Sequence, residues 1–221
     1  MITMVSPGAG REGPAAQPQV RSVRCEASAR LPTRHGLFTA RVYRSGTDGL
    51  EHMALVKGDV AGRENVLARV HSECMTGDIF GSLRCDCGQQ LDAALSRIGQ
   101  EDAGVLLYLR NHEGRGIGLA PKLRAYALQD LGRDTVEANI ELGLPADARS
   151  YEAAAAILLD LGLTTIRLMS NNPAKFAAFE GDGLRVVERL PLLTKPTCEN
   201  FGYLRSKQAK MGHLLGLPSV P

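Results

Sequence analysis

Apolar and polar positions alternate through the first part of the chain in four short runs. These runs cover residues 23–32, 36–44, 51–58 and 65–71, and Pro, Gly and charged residues separate them. A period of two places the apolar side chains of a strand on one face, and the separating residues are typical of turns. The pattern therefore predicts a meander of antiparallel strands.

The spacing changes at Leu91, where apolar residues begin to recur every three or four positions, as one face of a helix requires. From there strands and helices alternate. The predicted elements are a helix at LDAALSRI, a strand at 105–110, a helix at 119–132, a helix at YEAAAAILLDLG ending at Gly162, a strand at TTIRLMS, a short helix at PAKFAAFEG, a strand at LRVVERLPL and a helix at 203–215. Such alternation after hairpin-connected strands predicts an α/β fold with a mixed sheet flanked by helices.

The first residues have a different composition. Residues 1–20 are rich in Gly, Pro and Ala and carry almost no large apolar side chains. Such a segment cannot bury enough surface to offset the entropy of the chain. We therefore expect a disordered tail at 1–20 and one folded domain at 21–221.

Composition and charge narrow the range of partners. Apolar residues make up 44% of the 221 residues, charged residues 23%, and the formal net charge is +2. No bulk charge demands nucleic acid, no apolar run is long enough to span a membrane, and no signal peptide is evident. We expect a cytoplasmic protein that binds neither nucleic acid nor membrane. In that reducing compartment the five cysteines are thiols or metal ligands.

The segment HSECMTGDIFGSLRCDCG concentrates three of the cysteines. If Cys85-Asp86-Cys87 is extended, its two sulfurs point to one face and a returning loop can add Cys74. Three thiolates would hold Zn²⁺ and leave the fourth position to water, as catalytic zinc sites do. Nearby glycines let the backbone fold tightly around an ion: Gly77, Gly81 and Gly88.

Two alternatives accompany this interpretation. His71 can complete a closed Cys₃His structural site instead of an open catalytic one. The letters H-S-E also match the start of the zinc nucleobase deaminase motif, in which a glutamate shuttles protons, although no Pro-Cys-x-x-Cys follows. Glu73 and His71 flank Cys74, so either can handle protons at metal-bound water. Cys25 and Cys198 have no such neighbours and are read as ordinary thiols.

Three other segments are candidates for binding a phosphate chain. In EGRGIGL, glycines alternate around Arg115 before a predicted helix, which lets backbone amides approach an anion. In SNNPAK, Asn172 can cap a helix that carries Lys175 in its first turn, with Ser170 beside it. Thr135 and the DARSY stretch, with Asp147 and Arg149, are weaker candidates. Each segment is also explained by a tight turn or a capped helix.

Together these motifs resemble GTP cyclohydrolase II. The resemblance runs from about Leu31 to the end and rests on RVHSECMTGD, SLRCDCG, EGRGIGL, KLRAYALQDLG, DTVEAN and NNPAK, in that order. It implies the α/β fold of that family, a homodimer, one Zn²⁺ per subunit and Mg²⁺ with the GTP triphosphate. The implied reaction hydrolyses GTP to 2,5-diamino-6-(5-phospho-ribosylamino)pyrimidin-4(3H)-one, formate and pyrophosphate, the first step of riboflavin biosynthesis.

The resemblance also assigns roles to residues at matching positions. The implied zinc ligands are Cys74, Cys85 and Cys87. The implied GTP-binding residues are Arg69, Val70, His71, Ser72, Glu73, Gln90, Glu113, Gly114, Arg115, Thr135, Ser170 and Lys175. The implied catalytic residues are Asp147 as proton acceptor, Arg149 as nucleophile and Tyr126 in ring opening. Glu73 is added as a catalytic candidate for proton transfer because it lies beside Cys74.

Some of these implications have physical alternatives. A guanidinium has a pKa above about 12 and is a poor nucleophile, so Arg149 can instead clamp the α-phosphate while Asp147 holds it. A variant enzyme can also stop at the formamide intermediate. The turn at Asn111-His112 has one residue more than in some family members, and Ser170 stands where threonine is frequent. Two-domain relatives carry a dihydroxybutanone phosphate synthase before this region, and the short tail predicts a monofunctional chain.

Overall fold

The computed structural model describes residues 23–145, 147–179 and 183–218. The tail expected at 1–20 lies outside these residues, so its prediction stays untested. Seven strands form one sheet: β1 (Val23–Thr33), β2 (Gly36–Ser45), β3 (Glu51–Lys57), β4 (Val66–Ser72), β5 (Gly104–Leu109), β6 (Thr165–Met169) and β7 (Arg185–Leu190). Their order across the sheet is β1-β2-β3-β5-β4-β6-β7.

The sheet is mixed, as the pattern of elements predicted. The pairs β1–β2, β2–β3 and β3–β5 are antiparallel, whereas β4 pairs in parallel with both β5 and β6, and β6 pairs in parallel with β7. The expected meander holds for β1 to β3 and is wrong for β4, because β5 lies between β3 and β4. All residues of β4 except the last are buried, so this strand needs a covered, central position with a neighbour on each side.

Helices and a short 3₁₀ turn connect the strands. They are α1 (Met75–Asp78), α2 (Cys87–Gln100), the 3₁₀ turn Glu113–Arg115, α3 (Leu119–Asp130), α4 (Thr135–Glu141), α5 (Glu152–Asp160), α6 (Ala174–Ala177) and α7 (Phe201–Met211). The apolar period begins at Leu91, but α2 already begins at Cys87, because its first turn faces a polar cavity. The last helix ends at Met211, earlier than predicted, where Gly212 adopts a left-handed φ of 65°.

Two apolar clusters cover the two faces of the sheet. One contains Ile157 and Leu158 of α5 together with Val105, Leu107 and Ile166 from the strands. Residues 153–158 of α5 are all buried, and four of them are alanines that let the helix lie close to the sheet. The other cluster packs α2 against the opposite face. In the part of the chain that the structure describes, no helix is long and apolar enough to cross a membrane.

Candidate active site

A cavity opens at the carboxyl ends of the parallel strands β4, β5 and β6. The space between its walls is about 1010 Å³, a figure that includes open solvent. Open α/β sheets place ligand sites at this edge because successive loops converge there. The sequence-predicted residues that line it are Arg69, His71, Ser72, Glu73, Gln90, Gly114, Arg115, Tyr126, Thr135, Arg149, Ser170 and Lys175, together with all three predicted metal ligands.

Three predicted residues do not line the cavity with their side chains. Val70 points into the core, and its carbonyl accepts a hydrogen bond of 2.8 Å from Nζ of Lys175. Glu113 is buried behind the wall, where its carboxylate accepts from Met75 N–H at 2.7 Å. Asp147 pairs with Arg149, and its side chain is partly exposed. These residues support others that reach the cavity.

The three sulfurs of Cys74, Cys85 and Cys87 form the predicted group, with all ligand atoms within 4.8 Å of one another. The Sγ atoms of Cys74 and Cys85 are 3.7 Å apart. A tetrahedral zinc with Zn–S bonds of about 2.3 Å requires sulfurs about 3.8 Å apart. The Cys74–Cys85 spacing therefore fits Zn²⁺, and the Cys87 sulfur lies within 4.8 Å of both.

Glycines make room for the sulfurs. A Cβ on Gly77 would lie 2.7 Å from Sγ of Cys85 and 3.3 Å from Sγ of Cys74, and a Cβ on Gly88 would lie 2.4 Å from the carbonyl oxygen of Gly77. A side chain at Gly77 would require the sulfurs to move, and one at Gly88 would require the backbone of Gly77 to move. The close packing fits the expectation for Gly77 and Gly88, whereas a Cβ on Gly81 would meet nothing within 4 Å.

The expectation of an extended Cys-Asp-Cys triplet is wrong. Asp86 has φ −105° and ψ 10°, and Cys87 is the first residue of α2. The two sulfurs meet because the chain turns into the helix between them. The Asp86 carboxylate is buried and holds this turn by accepting from Lys207 Nζ at 2.9 Å and from the side-chain amide of Gln90.

His71 does not complete a closed four-ligand site. Its Nε2 lies 3.1 Å from Oδ1 of Asp78, and Oδ2 of the same carboxylate accepts from the Tyr108 hydroxyl at 2.8 Å. Burial lowers the pKa of His71, although the Asp78 carboxylate opposes the shift. Among the described residues, only the three cysteines come together as a metal-ligand group.

Lys122 is a site residue that the motifs did not indicate. Its Nζ donates to Sγ of Cys74 at 3.1 Å and to Oγ1 of Thr76 at 2.7 Å, and it forms an ion pair with Glu113. Neighbouring thiols, Cys85 first, and then this ammonium hold the pKa of Cys74 far below its usual range. Helical spacing could have indicated that Lys122 is buried, because it lies three residues before Ala125 and so on the same face of α3.

Buried cations lie on another wall of the cavity. Arg69 donates to the Met169 carbonyl at 2.9 Å and to Oε1 of Gln90 at 2.6 Å. Lys175 is buried and donates to a carbonyl instead of pairing with a carboxylate. Burial, followed by the charges of Arg69 and Arg149, lowers its pKa well below the usual value. Clustered buried cations of this kind are stabilised by a bound anion.

Arg149 and Asp147 form a fork-like pair beside these cations. Nε of Arg149 donates to Oδ1 of Asp147 at 2.8 Å, Nη2 donates to Oδ2, and Nη1 reaches Oγ of Ser72 at 3.5 Å. Burial disfavours the charged form of Asp147, but the hydrogen bonds from Arg149 outweigh it and lower the pKa of the carboxyl. The same pairing raises the pKa of Arg149 against the effect of burial.

The turn around Arg115 is held in an unusual conformation. Arg115 is buried and has a φ of 69°, between Gly114 at 57° and Gly116 at 86°. Neither Nη atom of Arg115 has a partner among the described residues. Left-handed backbone at a bulky residue costs about 1–3 kcal/mol and is typical of functional sites. The turn therefore presents an unpaired guanidinium to the cavity.

The remaining predicted residues are held by local contacts. Oε2 of Glu73 accepts from Asn111 N–H at 2.6 Å. Thr135 is the first residue of α4, whose N-terminus Asp134 caps. Oγ of Ser170 accepts from Asn172 N–H at 3.1 Å. Further lining residues that the sequence reasoning missed are His112, Lys122, Asn139, Tyr203, Lys207 and His213.

Several known proteins are similar to this chain in sequence. The sequence model described as GTP cyclohydrolase II matches residues 24–191, more than half of the 221-residue chain. The riboflavin biosynthesis protein RibBA of Nocardia farcinica is 60% identical over 195 residues, which are 88% of this chain and 47% of that protein. The bifunctional riboflavin biosynthesis protein RIBA 1, chloroplastic, of Arabidopsis thaliana is 59% identical over 190 residues, which are 86% of this chain and 35% of that protein. The chain thus spans half or less of the length of these relatives.

A solved structure is also similar in part. The crystal structure of RibBX, a two-domain 3,4-dihydroxy-2-butanone 4-phosphate synthase from A. baumannii, aligns with 78% of this chain and 41% of that chain. The TM-score is 0.46 and the sequence identity is 24%.

Proposed function

Because this chain belongs to the GTP cyclohydrolase II family, we propose that it opens the imidazole ring of GTP at a zinc site and releases formate and pyrophosphate. The product is 2,5-diamino-6-(5-phospho-ribosylamino)pyrimidin-4(3H)-one, and the reaction begins riboflavin biosynthesis. The observation that carries the proposal is the juxtaposition of three sulfurs at zinc spacing with a cavity wall of buried cations. The cysteine end of the cavity suits hydrolysis at a purine carbon, and the wall of buried cations suits a triphosphate.

Cys74, Cys85 and Cys87 would hold the metal. Zinc bound there would supply Lewis acidity, which lowers the pKa of water and stabilises developing negative charge. Three thiolates and Zn²⁺ carry a net charge of −1, which weakens the metal as a Lewis acid. Lys122 donates to Cys74 while it also pairs with Glu113. Its hydrogen bond withdraws charge from the Cys74 sulfur and so restores part of that acidity.

Tyr126 and Glu73 handle protons near the reacting ring. Burial raises the pKa of Tyr126, although the Lys122 charge opposes the shift, so the phenol stays protonated at neutral pH and can donate a hydrogen bond. The Glu73 carboxylate is fixed by its bond to Asn111 N–H and directly precedes Cys74. This position suits a group that moves a proton between water and the purine.

The cationic wall binds the triphosphate, with Mg²⁺ accompanying the nucleotide. Arg69, Lys175 and Arg115 are buried there, and charge-assisted bonds to phosphate oxygens satisfy groups that otherwise lack carboxylate partners. Arg149 clamps the α-phosphate in bidentate fashion, while Asp147 orients it. A guanidinium whose pKa is raised by its partner stays protonated and is a poor nucleophile.

An assay of GTP hydrolysis tests the proposal directly. Purified zinc-loaded protein should release formate and pyrophosphate in equal amounts, and Cys85→Ser should abolish both. Cys198→Ser is the matched control, because Cys198 is exposed and should leave turnover unchanged. Ammonia without formate would instead indicate a deaminase, and failure to complete formate release would indicate an enzyme that stops at the formamide. Wild-type turnover by Cys85→Ser would refute the metal chemistry.

The clamp at Arg149 has a separate test. Lys keeps the positive charge but not the bidentate fork. If Arg149 only clamps phosphate, Arg149→Lys should keep measurable pyrophosphate release with a raised KM. A covalent phosphoguanidine trapped on Arg149 of the wild-type protein would overturn the clamp and favour the nucleophile.

Assembly and metal role belong to the same proposal. We expect a homodimer with one Zn²⁺ per subunit, which light scattering and metal analysis can measure. Catalytic zinc should come off with the fold largely retained, whereas a structural zinc would carry the fold with it. A chelator that melts the protein at the rate of zinc loss would favour a nucleotide-binding protein with structural zinc.

A further inference from the structure

The C-terminal helix α7 contributes to the cavity although the family match ends at residue 191. Tyr203 and Lys207 of α7, and His213 just beyond it, line the same cavity as the cysteine ligands. No motif singled them out. Their role follows from where the helix is attached.

Three attachments fix α7 in the molecule. Lys207 Nζ donates to Oδ1 of the buried Asp86 at 2.9 Å. Lys210 pairs with Asp134 at the start of α4. Leu214 N–H donates to the carbonyl of Asn171 at 2.9 Å. The segment therefore bridges the metal-ligand turn and the turn after β6.

The attachment of Lys207 to Asp86 bears most directly on the metal-ligand turn. Asp86 lies between two metal ligands, and its carboxylate is 1% exposed. A buried carboxylate needs a cation and hydrogen bonds to stay ionised there. The ammonium of Lys207 thereby holds the turn that sets the separation of Cys85 and Cys87.

Tyr203 lies next to this attachment. Lys207 Nζ is 4.3 Å from the centre of the Tyr203 ring, and Cζ of Arg115 is 6.0 Å from it. The ring lines the cavity beside both the Asp86 turn and the Arg115 turn. Lys207 Nζ lies over the ring, so the part of the ring that faces the cavity away from this ammonium is the part that can contact a purine.

From this arrangement we infer that α7 forms the base-binding wall of the site, with Tyr203 contacting the guanine ring and Lys207 acting as a positioning residue for the Cys85-Asp86-Cys87 turn. This inference rests on the proposed function for the identity of the nucleotide. It adds a segment that the family match does not cover.

Tyr203 is tested by GTP affinity. Tyr203→Leu removes the ring and should raise KM for GTP about tenfold or more, the effect of losing one base–aromatic stack. Tyr203→Phe keeps the ring and should stay within about twofold of wild type. Equal KM values for wild type and Tyr203→Leu would overturn the contact.

A binding measurement independent of turnover accompanies it. The chain contains no tryptophan, so Tyr203→Trp introduces a single indole reporter. Its fluorescence should be quenched when GTP is mixed in a stopped-flow instrument, before turnover. Val187→Trp, at an exposed position of β7, should show no change. A Tyr203→Trp signal that does not respond to GTP contradicts the inference.

Lys207 is tested by metal retention. Lys207→Gln should release zinc to a chromophoric chelator at least fivefold faster than wild type, and Lys207→Arg should restore much of the retention. Arg205→Gln is the matched control, since it removes a positive charge from an exposed position of the same helix. Wild-type zinc release by folded Lys207→Gln would overturn the positioning role. If Lys207→Gln does not fold, the Lys207→Arg comparison and the Tyr203 variants still decide.

The two levels of the proposal fail in different ways. If the wild type releases no formate from GTP, the proposed function fails. If the wild type is active but Tyr203→Leu keeps its KM and Lys207→Gln keeps its zinc, only the role of α7 fails.

Discussion

Replacing Gly77 by alanine should disable the metal site without unfolding the protein. The added Cβ would lie 2.7 Å from Sγ of Cys85, whereas ordinary contact begins at 3.4 Å. Relief of the clash requires a displacement of about 0.7 Å, and zinc–sulfur distances tolerate only about ±0.2 Å. Because the same Cβ also crowds Cys74 Sγ at 3.3 Å, the sulfurs cannot move apart together and still share one tetrahedral ion.

The assay is metal binding measured beside folding. Gly77→Ala should bind Zn²⁺ at least tenfold more weakly, and its Co²⁺ form should lose intensity in the thiolate charge-transfer bands. GTP turnover should fall in parallel, with circular dichroism close to wild type. Gly202→Ala is the matched control, because a Cβ there meets nothing within 4 Å. If Gly77→Ala binds one Zn²⁺ with wild-type affinity, the geometric reasoning about the sulfur group is refuted.

Three further variants test other parts of the site. Lys122→Met leaves the Glu113 carboxylate buried without its cation, so it should lower the free energy of unfolding in chemical denaturation by about 3–5 kcal/mol. The double variant Lys122→Met/Glu113→Gln should recover that stability but not the zinc affinity. If it recovers both, the Lys122 ammonium does not contribute to zinc binding. Burial, followed by the charge of Arg149, lowers the pKa of His112 to about 3. Below about pH 6.5 His112 is therefore protonated in the unfolded chain but stays neutral in the folded protein, so the free energy of unfolding decreases as pH falls. From about pH 7.5 to 5.5 the free energy of unfolding should fall by about 1.4 kcal/mol more in the wild type than in His112→Gln. Equal decreases would contradict a neutral His112 in the folded protein. Asp134→Ala removes side-chain bonds to Val136 N–H at 2.8 Å and Glu137 N–H at 3.0 Å and should lower the free energy of unfolding by about 1 kcal/mol; an unchanged value would mean that this cap contributes nothing.

The fold class and the family could be predicted because their signals are local. Period-two runs and helical spacing predicted a mixed α/β sheet, and the sheet has that form. The ordered motifs predicted the family, which the match over residues 24–191 confirms. The cysteine group was predictable because its local pattern is uncommon by chance. It combines a Cys-x-Cys pair, an upstream cysteine and clustered glycines, which is typical of a metal-binding segment.

The missed features depend on contacts between distant segments. Strand β5 pairs between β3 and β4 although α1 and α2 separate it from β4 in the chain. This pairing joins distant segments, so no local sequence pattern predicts it. Lys122 and Lys207 look like solvated lysines in sequence, because a buried cation differs from an exposed one only by its partners. The extended form expected for Cys85-Asp86-Cys87 failed for the same reason, since distant Lys207 holds the Asp86 turn.

The sheet topology explains why the separate motifs converge. Strands β5, β4 and β6 are adjacent and parallel, so their carboxyl ends open on one edge. After β4 the chain continues to Cys74, after β5 to the Arg115 turn, and after β6 to the Ser170 turn. The candidate metal ligand, the unpaired guanidinium and the candidate phosphate-binding turn thus occupy neighbouring loops although more than twenty residues separate them in sequence. A motif that directly follows a buried parallel strand is therefore expected at this edge of the sheet, where it can share one site with the motifs that follow the neighbouring strands.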